Sequence, residues 1–331
     1  MSHPTSPAKE GTVPFPFRGD THQTFYKLYG SLSSTSTEPN ARPLVALHGG
    51  PGVTHDYLTP LGDINALSGR PVIIYDQIGN GKSTHLRDKP DDFWNIDLFI
   101  CELENLLAQL GIAGDFDLLG HSWGGMLAAE FVIRRQPAGL NALILSNSLA
   151  SSVTRNAEVQ RLYKELAPED AKVLLEGDAS GNTGTPEYAK ARQEFNKRFL
   201  CRLDPPPEPV IYSFVQSQVD PTVTTKMYVC PPFFISPVLT PFMHCRKQSD
   251  ANTTWNIVSK LHTIRVPTLV LNGAHDFETD LVCAPFLEHI EGSRWVKFEN
   301  SSHMMHWEER EKYMSVVDGF LDEHKDRKER E

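Results

Sequence analysis

One serine of the chain stands among glycines, between an apolar run and an alanine-rich run, in the sequence LLGHSWGGML (Leu118–Leu127). An ordinary glycine turn before a helix has the same composition. Here, however, a strand-like run precedes the Gly-x-Ser-x-Gly sequence and a helix-like run follows it, and in that context a sharp turn exposes the serine oxygen. Glycines two residues before and after the serine let neighbouring backbone pass close by. We therefore predict that Ser122 is a nucleophile.

A nucleophilic serine needs a general base and an acid that orients the base. When the serine occupies a strand-to-helix turn, the acid and then the histidine follow later in the chain. Asp276 ends the strand-like run PTLVLNGAHD, and His303 follows the run RWVKFENSS. Asp280 and His306 lie close by and are competing candidates. Positions directly after the strands favour Asp276 and His303, which we predict form a Ser–His–Asp triad with Ser122.

The intermediate of such a reaction needs hydrogen-bond donors for its oxyanion. One predicted donor is the backbone N–H of Trp123, the residue after the nucleophile. The other is expected from the loop HGGPG (His48–Gly52), which directly follows a strand-like run. Glycines in this loop let backbone amides approach a substrate closely. We therefore include Gly49 among the predicted substrate contacts.

Near-continuously apolar runs, most of them ending in Gly, Asn, Asp or Ser, are typical of buried parallel strands. The runs are Pro43–Gly50, Pro71–Gly79, Phe116–Ser122, Leu140–Ser148, Pro267–Asp276 and Arg294–Ser302. Segments such as Asn95–Ile112 and Gly124–Pro137 lie between them and have helical patterns. This alternation predicts an α/β fold with a mostly parallel central sheet flanked by helices. Gly11–Gly19 and Thr21–Leu32 are predicted to form an antiparallel hairpin at one edge.

The pattern changes between Ala150 and Leu261, where helical segments alternate with proline-rich joints such as DPPPEPV and SPVLTPF. We interpret residues 150–261 as a mostly helical insertion that follows the LILSNS strand. Residues 1–149 and 262–331 are then the two parts of one core domain. In an open α/β sheet ligands bind at the carboxyl ends of the strands, so the insertion is expected to cover the site.

Composition excludes several classes of partner. The net charge of −10 disfavours a general nucleic-acid or anionic-membrane binder. The five cysteines have no CxxC spacing, which favours free thiols over a disulfide framework or a zinc site, and no spacing for another metal or a cofactor is visible. No signal peptide or membrane-spanning run is visible, so a cytoplasmic location is expected. The expected partner is a small molecule or short peptide, and the sequence does not indicate an oligomeric state.

Taken together, these motifs resemble the proline iminopeptidase (prolyl aminopeptidase) family of serine peptidases, which are α/β hydrolases. The resemblance extends from about Phe15 to Leu321 and includes HGGPGVTHDYL, YDQIGNGKS, GHSWGGMLA, VPTLVLNGAHD and SSHMMHWEER. It implies the α/β-hydrolase fold, an acyl-enzyme mechanism with the triad above, and oxyanion donors from the amides of Gly50 and Trp123. It also implies that the insertion is a cap in which Glu208, in LDPPPEPV, binds the substrate's α-amine; the alternative for Glu208 is an ordinary solvated carboxylate.

The cap departs from the family pattern at a second glutamate, which the family has in a Gly-Pro-x-Glu-Phe segment. The corresponding segment is CPPFF (Cys230–Phe234), with Phe233 in place of the glutamate. This replacement removes a charge partner for an ammonium group and adds apolar surface. The leading interpretation is removal of an N-terminal residue or cleavage of an amino-acid amide. The alternatives are an esterase, lactonase or amidase for a neutral apolar molecule and, from another class, a non-catalytic receptor.

Overall fold

The computed structural model describes residues 5–32, 42–227 and 254–325. In these ranges eight strands form one sheet in the order β1-β2-β4-β3-β5-β6-β7-β8. The pairs β1–β2 and β2–β4 are antiparallel and the other pairs are parallel. The strands are β1 Lys9–Phe17, β2 Asp20–Tyr29, β3 Leu44–Leu47, β4 Val72–Tyr75, β5 Phe116–His121, β6 Leu140–Ser146, β7 Thr268–Gly273 and β8 Arg294–Phe298. The predicted mostly parallel sheet with an antiparallel edge hairpin is confirmed.

The central strands β3 to β7 are buried at every residue, which explains their continuous apolar sequences. Successive side chains of a strand point to opposite faces of the sheet. In β5, Leu118 accordingly belongs to one hydrophobic cluster and Leu119 to another. The core thus lies on both faces of the sheet, and only the ends of the central strands are open to a ligand.

The helices flank the sheet or lie between β6 and β7. They are α1 Gly62–Ser68, α2 Ile96–Gln109, α3 Trp123–Arg135, α4 Ser152–Tyr163, α5 Pro168–Ser180, α6 Pro186–Phe199, α7 Glu208–Val219, α8 Thr222–Met227, α9 Asp280–His289, α10 Met305–Glu308 and α11 Arg310–Glu323. Short 3-10 helices span His55–Leu61, Asp91–Phe93 and Val258–Thr263. Capping side chains determine where some of these helices begin. At the start of α2, for example, the Asn95 side chain accepts a hydrogen bond from the Leu98 N–H.

The segment between β6 and β7 contains α4 to α8 in its described part, as expected for a helical insertion. Its interior is built around Arg192, which is 1% exposed and donates to the hydroxyls of Tyr163 and Tyr188 at 2.7 and 2.5 Å. Both hydroxyls in turn donate to Asp178, so the buried charge has polar partners. Phe233, predicted to contact substrate, lies outside the described residues.

The sequence predicts that the cysteines are free thiols. Cys101, Cys201 and Cys283 are free thiols, and Cys230 and Cys245 lie outside the described residues. Within the ranges that the structure describes, no helix is long and apolar enough to cross a membrane.

Candidate active site

The turn between β5 and α3 holds Ser122 at a positive φ, with φ 57° and ψ −122°. A non-glycine residue at such a φ is strained, and strain of this kind is found at functional sites. A Cβ atom at Gly120 would collide with the carbonyl oxygen of Gly124, and one at Gly124 with that of Leu47. The glycines are therefore required by the close approach of backbone on both sides of the serine. The Ser122 N–H donates to Ser146 O at 2.9 Å, which ties the turn to β6.

Asp276 and His303 form a buried pair beside this turn. His303 Nδ1 lies 2.9 Å from Asp276 Oδ1, and the two side chains are 4% and 0% exposed. Asp276 also accepts hydrogen bonds from the Glu278 N–H at 2.9 Å and from Asn147 Nδ2 at 2.5 Å. Burial raises the pKa of the Asp276 carboxyl, whereas the Asn147 and Glu278 donors lower it. Three donors meet two oxygens, so the arrangement fits an ionised carboxylate.

His303 is held in its neutral form. Burial, and next the charge of Arg155, lower the pKa of His303 well below its usual range. Since Asp276 accepts at Nδ1, the Nδ1 atom carries the proton and Nε2 has a free lone pair. His303 and Ser122 line the same cavity. A neutral imidazole in this position is the form that a general base requires.

The competing candidates point elsewhere in the structure. Asp280 begins α9 and binds Asn272 Nδ2 at 2.9 Å and Lys297 Nζ at 2.7 Å. His306 is buried, and its Nε2 lies 3.0 Å from the carbonyl oxygen of Tyr57. Neither Asp280 nor His306 is among the described residues that line the cavity with Ser122.

The backbone of the HGGPG loop passes close to Ser122, as its glycine content predicts. A Cβ atom at Gly49 would lie 3.0 Å from the Cβ of Ser122. The Gly49 N–H donates to the Tyr57 hydroxyl at 2.6 Å, so this amide already has a partner. Gly50 has φ 110° and lines the cavity. Among the described residues, the amides of Gly50 and Trp123 donate to no acceptor, so both are free for an oxyanion.

Gln77, from the DQIG loop after β4, connects the two predicted oxyanion segments. Its backbone N–H donates to His48 Nε2 at 3.0 Å, and its side-chain amide donates to His48 O at 2.9 Å. The Trp123 indole N–H donates to Gln77 Oε1 at 3.0 Å. Burial lowers the pKa of His48 to about 4, so His48 is neutral and accepts at Nε2. Gln77 lies in the motif YDQIGNGKS, but that motif alone predicts no role for it.

Tyr57 and His121 connect the glycine loop to the segment that carries the predicted base. His121 Nε2 lies 2.9 Å from the carbonyl oxygen of His303, so Nε2 donates and Nδ1 accepts. The Tyr57 hydroxyl, 2.9 Å from His121 Nδ1, is therefore the donor there and accepts from the Gly49 N–H. Burial lowers the pKa of His121 well below its usual range, which keeps the ring neutral. The signal in the sequence was weak, because both residues stand beside motifs that were assigned to their neighbours.

A cavity opens at Ser122, and it and the open solvent at its mouth together occupy about 320 Å³. Its described lining consists mainly of backbone and uncharged side chains: Gly49, Gly50, Val53, Tyr57, His121, Ser122, Leu200, Phe214, Phe277, His303 and Met304. Glu208 is the first residue of α7, is exposed, and is not in this lining. Its predicted contact with a substrate amine stays a prediction, as does that of Phe233.

One group of described residues brings three metal-ligating side chains together: His55, Asp56 and Asp76, with ligand atoms within 4.8 Å of one another. His55 Nδ1 lies 2.8 Å from Asp76 Oδ1, and Asp76 also accepts from the Lys82 N–H at 2.8 Å. The two interior members of the group therefore bind each other and a backbone amide. This arrangement fixes the loop after β4 and does not point to a metal.

Comparisons with known proteins agree with the fold and the motifs. The sequence profile of the alpha/beta hydrolase fold family matches residues 42–310. The proline iminopeptidase of Saccharolobus solfataricus is 36% identical over 90% of this chain and 89% of its own length. The crystal structure of VinJ has a TM-score of 0.84 and 39% identity, covering 96% of this chain and all of VinJ. That of the Mycobacterium smegmatis proline iminopeptidase has a TM-score of 0.80 and 35% identity, covering 95% and 98%.

The fold and the matched profile define an α/β hydrolase. At this identity and coverage the chain belongs to the proline iminopeptidase family of α/β hydrolases, and it is a hydrolytic enzyme.

Proposed function

We propose that the chain is a serine hydrolase that acts through an acyl-enzyme. Ser122 attacks a substrate carbonyl while His303 Nε2 takes the hydroxyl proton and then gives it to the leaving group. Asp276 stays ionised, orients the imidazole through Nδ1 and stabilises the imidazolium that forms. A water activated by the same histidine then hydrolyses the ester. The amides of Gly50 and Trp123 stabilise both oxyanions.

The observation that carries this proposal is the site's geometry. A strained serine lines one cavity with a histidine whose Nδ1 is held at 2.9 Å by a buried aspartate. Two backbone amides beside the serine have no acceptor among the described residues. A receptor that only binds a ligand needs none of these three features.

We propose removal of an N-terminal residue, or cleavage of an amino-acid amide, as the leading activity. The support is the family, in which relatives 30–36% identical are named proline iminopeptidases. We also propose that residues 150–261 form the cap over the core of residues 1–149 and 262–331. In this proposal Glu208 of the cap binds the substrate's ammonium group.

A second candidate is hydrolysis of a neutral ester, lactone or amide. It is favoured by the described cavity lining, in which Val53, Leu200, Phe214, Phe277 and Met304 supply apolar surface. An ammonium group placed against such surface loses its hydration without gaining a counter-ion. Phe233, in place of a family glutamate, points to the same substrate class.

A fluorophosphonate probe and a substrate panel test the proposal. We expect covalent labelling of the wild-type enzyme and none of Ser122→Ala. Proline anilide, other amino-acid anilides, the same compounds with a blocked amine, and simple aryl esters then separate the two substrate classes. A kcat/KM that is higher for free-amine than for blocked compounds supports the leading activity. Preference for blocked compounds would replace it with the second candidate, and absence of labelling would contradict both.

Glu208→Gln tests the proposed amine contact. A hydrogen bond to a charged group contributes about 1.5–3 kcal/mol. The kcat/KM for free-amine substrates should therefore fall roughly ten- to a hundredfold. Blocked esters should change little, and Phe233→Glu should shift preference toward free amines. Glu187, exposed in the first turn of α6, provides the matched control Glu187→Gln. Equal losses on both classes would show that Glu208 only stabilises the cap.

A further inference from the structure

A buried ion pair joins the first turn of α4 to the loop after β7. Arg155 Nε lies 3.4 Å from Glu278 Oε1, and the two side chains are 3% and 1% exposed. The next residue, Thr279, donates its hydroxyl to Glu158 of the same helix at 3.0 Å. The loop that begins with Asp276 is thus bonded to α4 at two points.

The ring of Phe277 contacts both Arg155 of this ion pair and His303. Arg155 Cζ lies 5.4 Å from the centroid of the Phe277 ring. Phe277 also stacks on the His303 imidazole, with centroids 4.2 Å apart and an interplanar angle of 29°. The guanidinium therefore lies within about 10 Å of the imidazole. Because these side chains are buried, their charges are screened less than they would be in water.

Titratable groups from several elements surround the Asp276–His303 pair. They are His121 at the end of β5, Glu278 after β7, Arg155 on α4, and His306 and Glu308 on α10. Burial lowers the pKa of both His121 and His306 well below the usual range, so neither is charged near neutral pH. Glu308 is engaged by the Ser302 N–H and hydroxyl on its own segment.

The two charges of the Arg155–Glu278 pair have opposite signs. Burial raises the pKa of Glu278, and Arg155 lowers it. A buried guanidinium without a counter-ion is costly, so we assign the pair as ionised. The cation opposes formation of an imidazolium at His303, and the carboxylate favours it.

We propose that Arg155 and Glu278 are positioning residues: their ion pair holds Phe277 against His303, and their charges act in opposite directions on proton uptake by His303. The loop after β7 serves both purposes, because the Glu278 N–H binds the oxygen of Asp276 that accepts from His303. The inference rests on the proposed role of His303 as general base.

The test is the pH dependence of kcat/KM with p-nitrophenyl acetate, which does not titrate in the range measured. Arg155→Met should move the acid limb, the pH below which kcat/KM falls, upward by about 0.5–1 unit. Glu278→Gln should move it downward by a similar amount. A purely structural pair would lower the rate in both variants and leave the limb in place. The two variants test the proposal independently. If one of them does not fold, the other still provides the test.

Two further variants separate charge from packing. Arg155→Lys retains the charge, so its limb should stay at the wild-type pH even where the rate falls. Arg161→Met removes an arginine from the same helix that is 52% exposed and pairs with Glu158 and Glu165, and it should leave the limb unchanged.

The inference would be overturned if the acid limb shifted in the same direction in Arg155→Met and Glu278→Gln. It would also be overturned if the acid limb stayed at the wild-type pH in both variants. Loss of activity in His303→Ala would show that the proposed function stands in that case. Full activity of His303→Ala would instead contradict the proposed function itself.

Discussion

The segment between β6 and β7 contacts the core in two regions that differ in kind. On one side α4 meets the loop after β7 through the buried Arg155–Glu278 ion pair. On the other side α7 and α8 meet the HGGPG loop and the 3-10 helix that follows it through neutral groups. The Ser213 hydroxyl accepts from the Tyr57 N–H at 3.1 Å, and the Thr224 hydroxyl donates to Pro51 O at 3.2 Å.

An ionic contact does occur on the second side, but it joins the buried Asp220 to partly exposed partners. Asp220 pairs with Arg87 at 2.9 Å and with His85, and the arginine side chain is 63% exposed. Because water screens the exposed side chains, the charges of such a pair act only weakly on distant groups. The pair in which both charged side chains are buried is therefore the one near His303, whose own charge changes in the proposed reaction. Neutral hydrogen bonds are placed beside the amides, which only have to keep their position.

The largest expected effect comes from the residues that both regions surround. Ser122→Ala and His303→Ala should each lower kcat by about 10³- to 10⁶-fold, and the double variant should lose little more, because a triad acts as a unit. Turnover of an aryl ester measures this. His306→Gln keeps a donor toward Tyr57 O and is the control. Loss of activity in His306→Gln with retention in His303→Ala would assign the base to His306.

A smaller effect is expected on the neutral side from Tyr57→Phe. The change leaves the Gly49 N–H and His121 Nδ1 buried without a partner, at about 1–3 kcal/mol each in stability. We expect a roughly ten- to a hundredfold lower kcat, a lower denaturation midpoint, and an unchanged acid limb. Tyr212→Phe, at a half-exposed tyrosine of α7, is the control. A shifted limb in Tyr57→Phe would erase the proposed difference between the two regions.

Ser213→Ala removes a neutral hydrogen bond between α7 and the segment that follows the HGGPG loop. It leaves the Tyr57 N–H unpaired, so we expect a loss of about 1–3 kcal/mol in unfolding free energy and a several-fold lower kcat/KM. Ser217→Ala, on the same helix, removes only a bond to Phe214 O and should have little effect. Urea denaturation and ester hydrolysis measure both variants. Equal results for them would mean that α7 does not support the glycine loop.

The smallest effect is the pH response of the wild-type enzyme. Because the pKa of His303 is lowered, the base stays neutral and active as the pH falls through the usual histidine range. Between pH 7 and pH 6, kcat/KM should fall by less than about twofold, whereas a base with a pKa of about 6.5 would lose roughly two-thirds of its rate. A limb centred near pH 6.5 would show that Arg155 and burial do not act on His303 as proposed.

Much of the fold and the centre of the site could be predicted from the sequence because their signals are local. Apolar runs that end in small polar residues gave the strands, and β5 with α3 gave the turn at Ser122. Asp276 and His303 were chosen because they directly follow strands, and parallel strands bring their carboxyl ends to one edge. The structure places His303 in the cavity with Ser122 and Asp276 on the far nitrogen of His303.

The tertiary structure alone decided the contacts between residues far apart in the chain. No local pattern indicates that Arg155 meets Glu278, about 120 residues later, or that Tyr57 reaches Gly49 and His121 together. Glu208 begins α7 at an exposed position, and its contact with a substrate amine stays a prediction. Strand periodicity and turn chemistry are properties of a few neighbouring residues. The partner of a buried charge or hydroxyl instead depends on how whole elements pack, because only packing determines which groups lose water together.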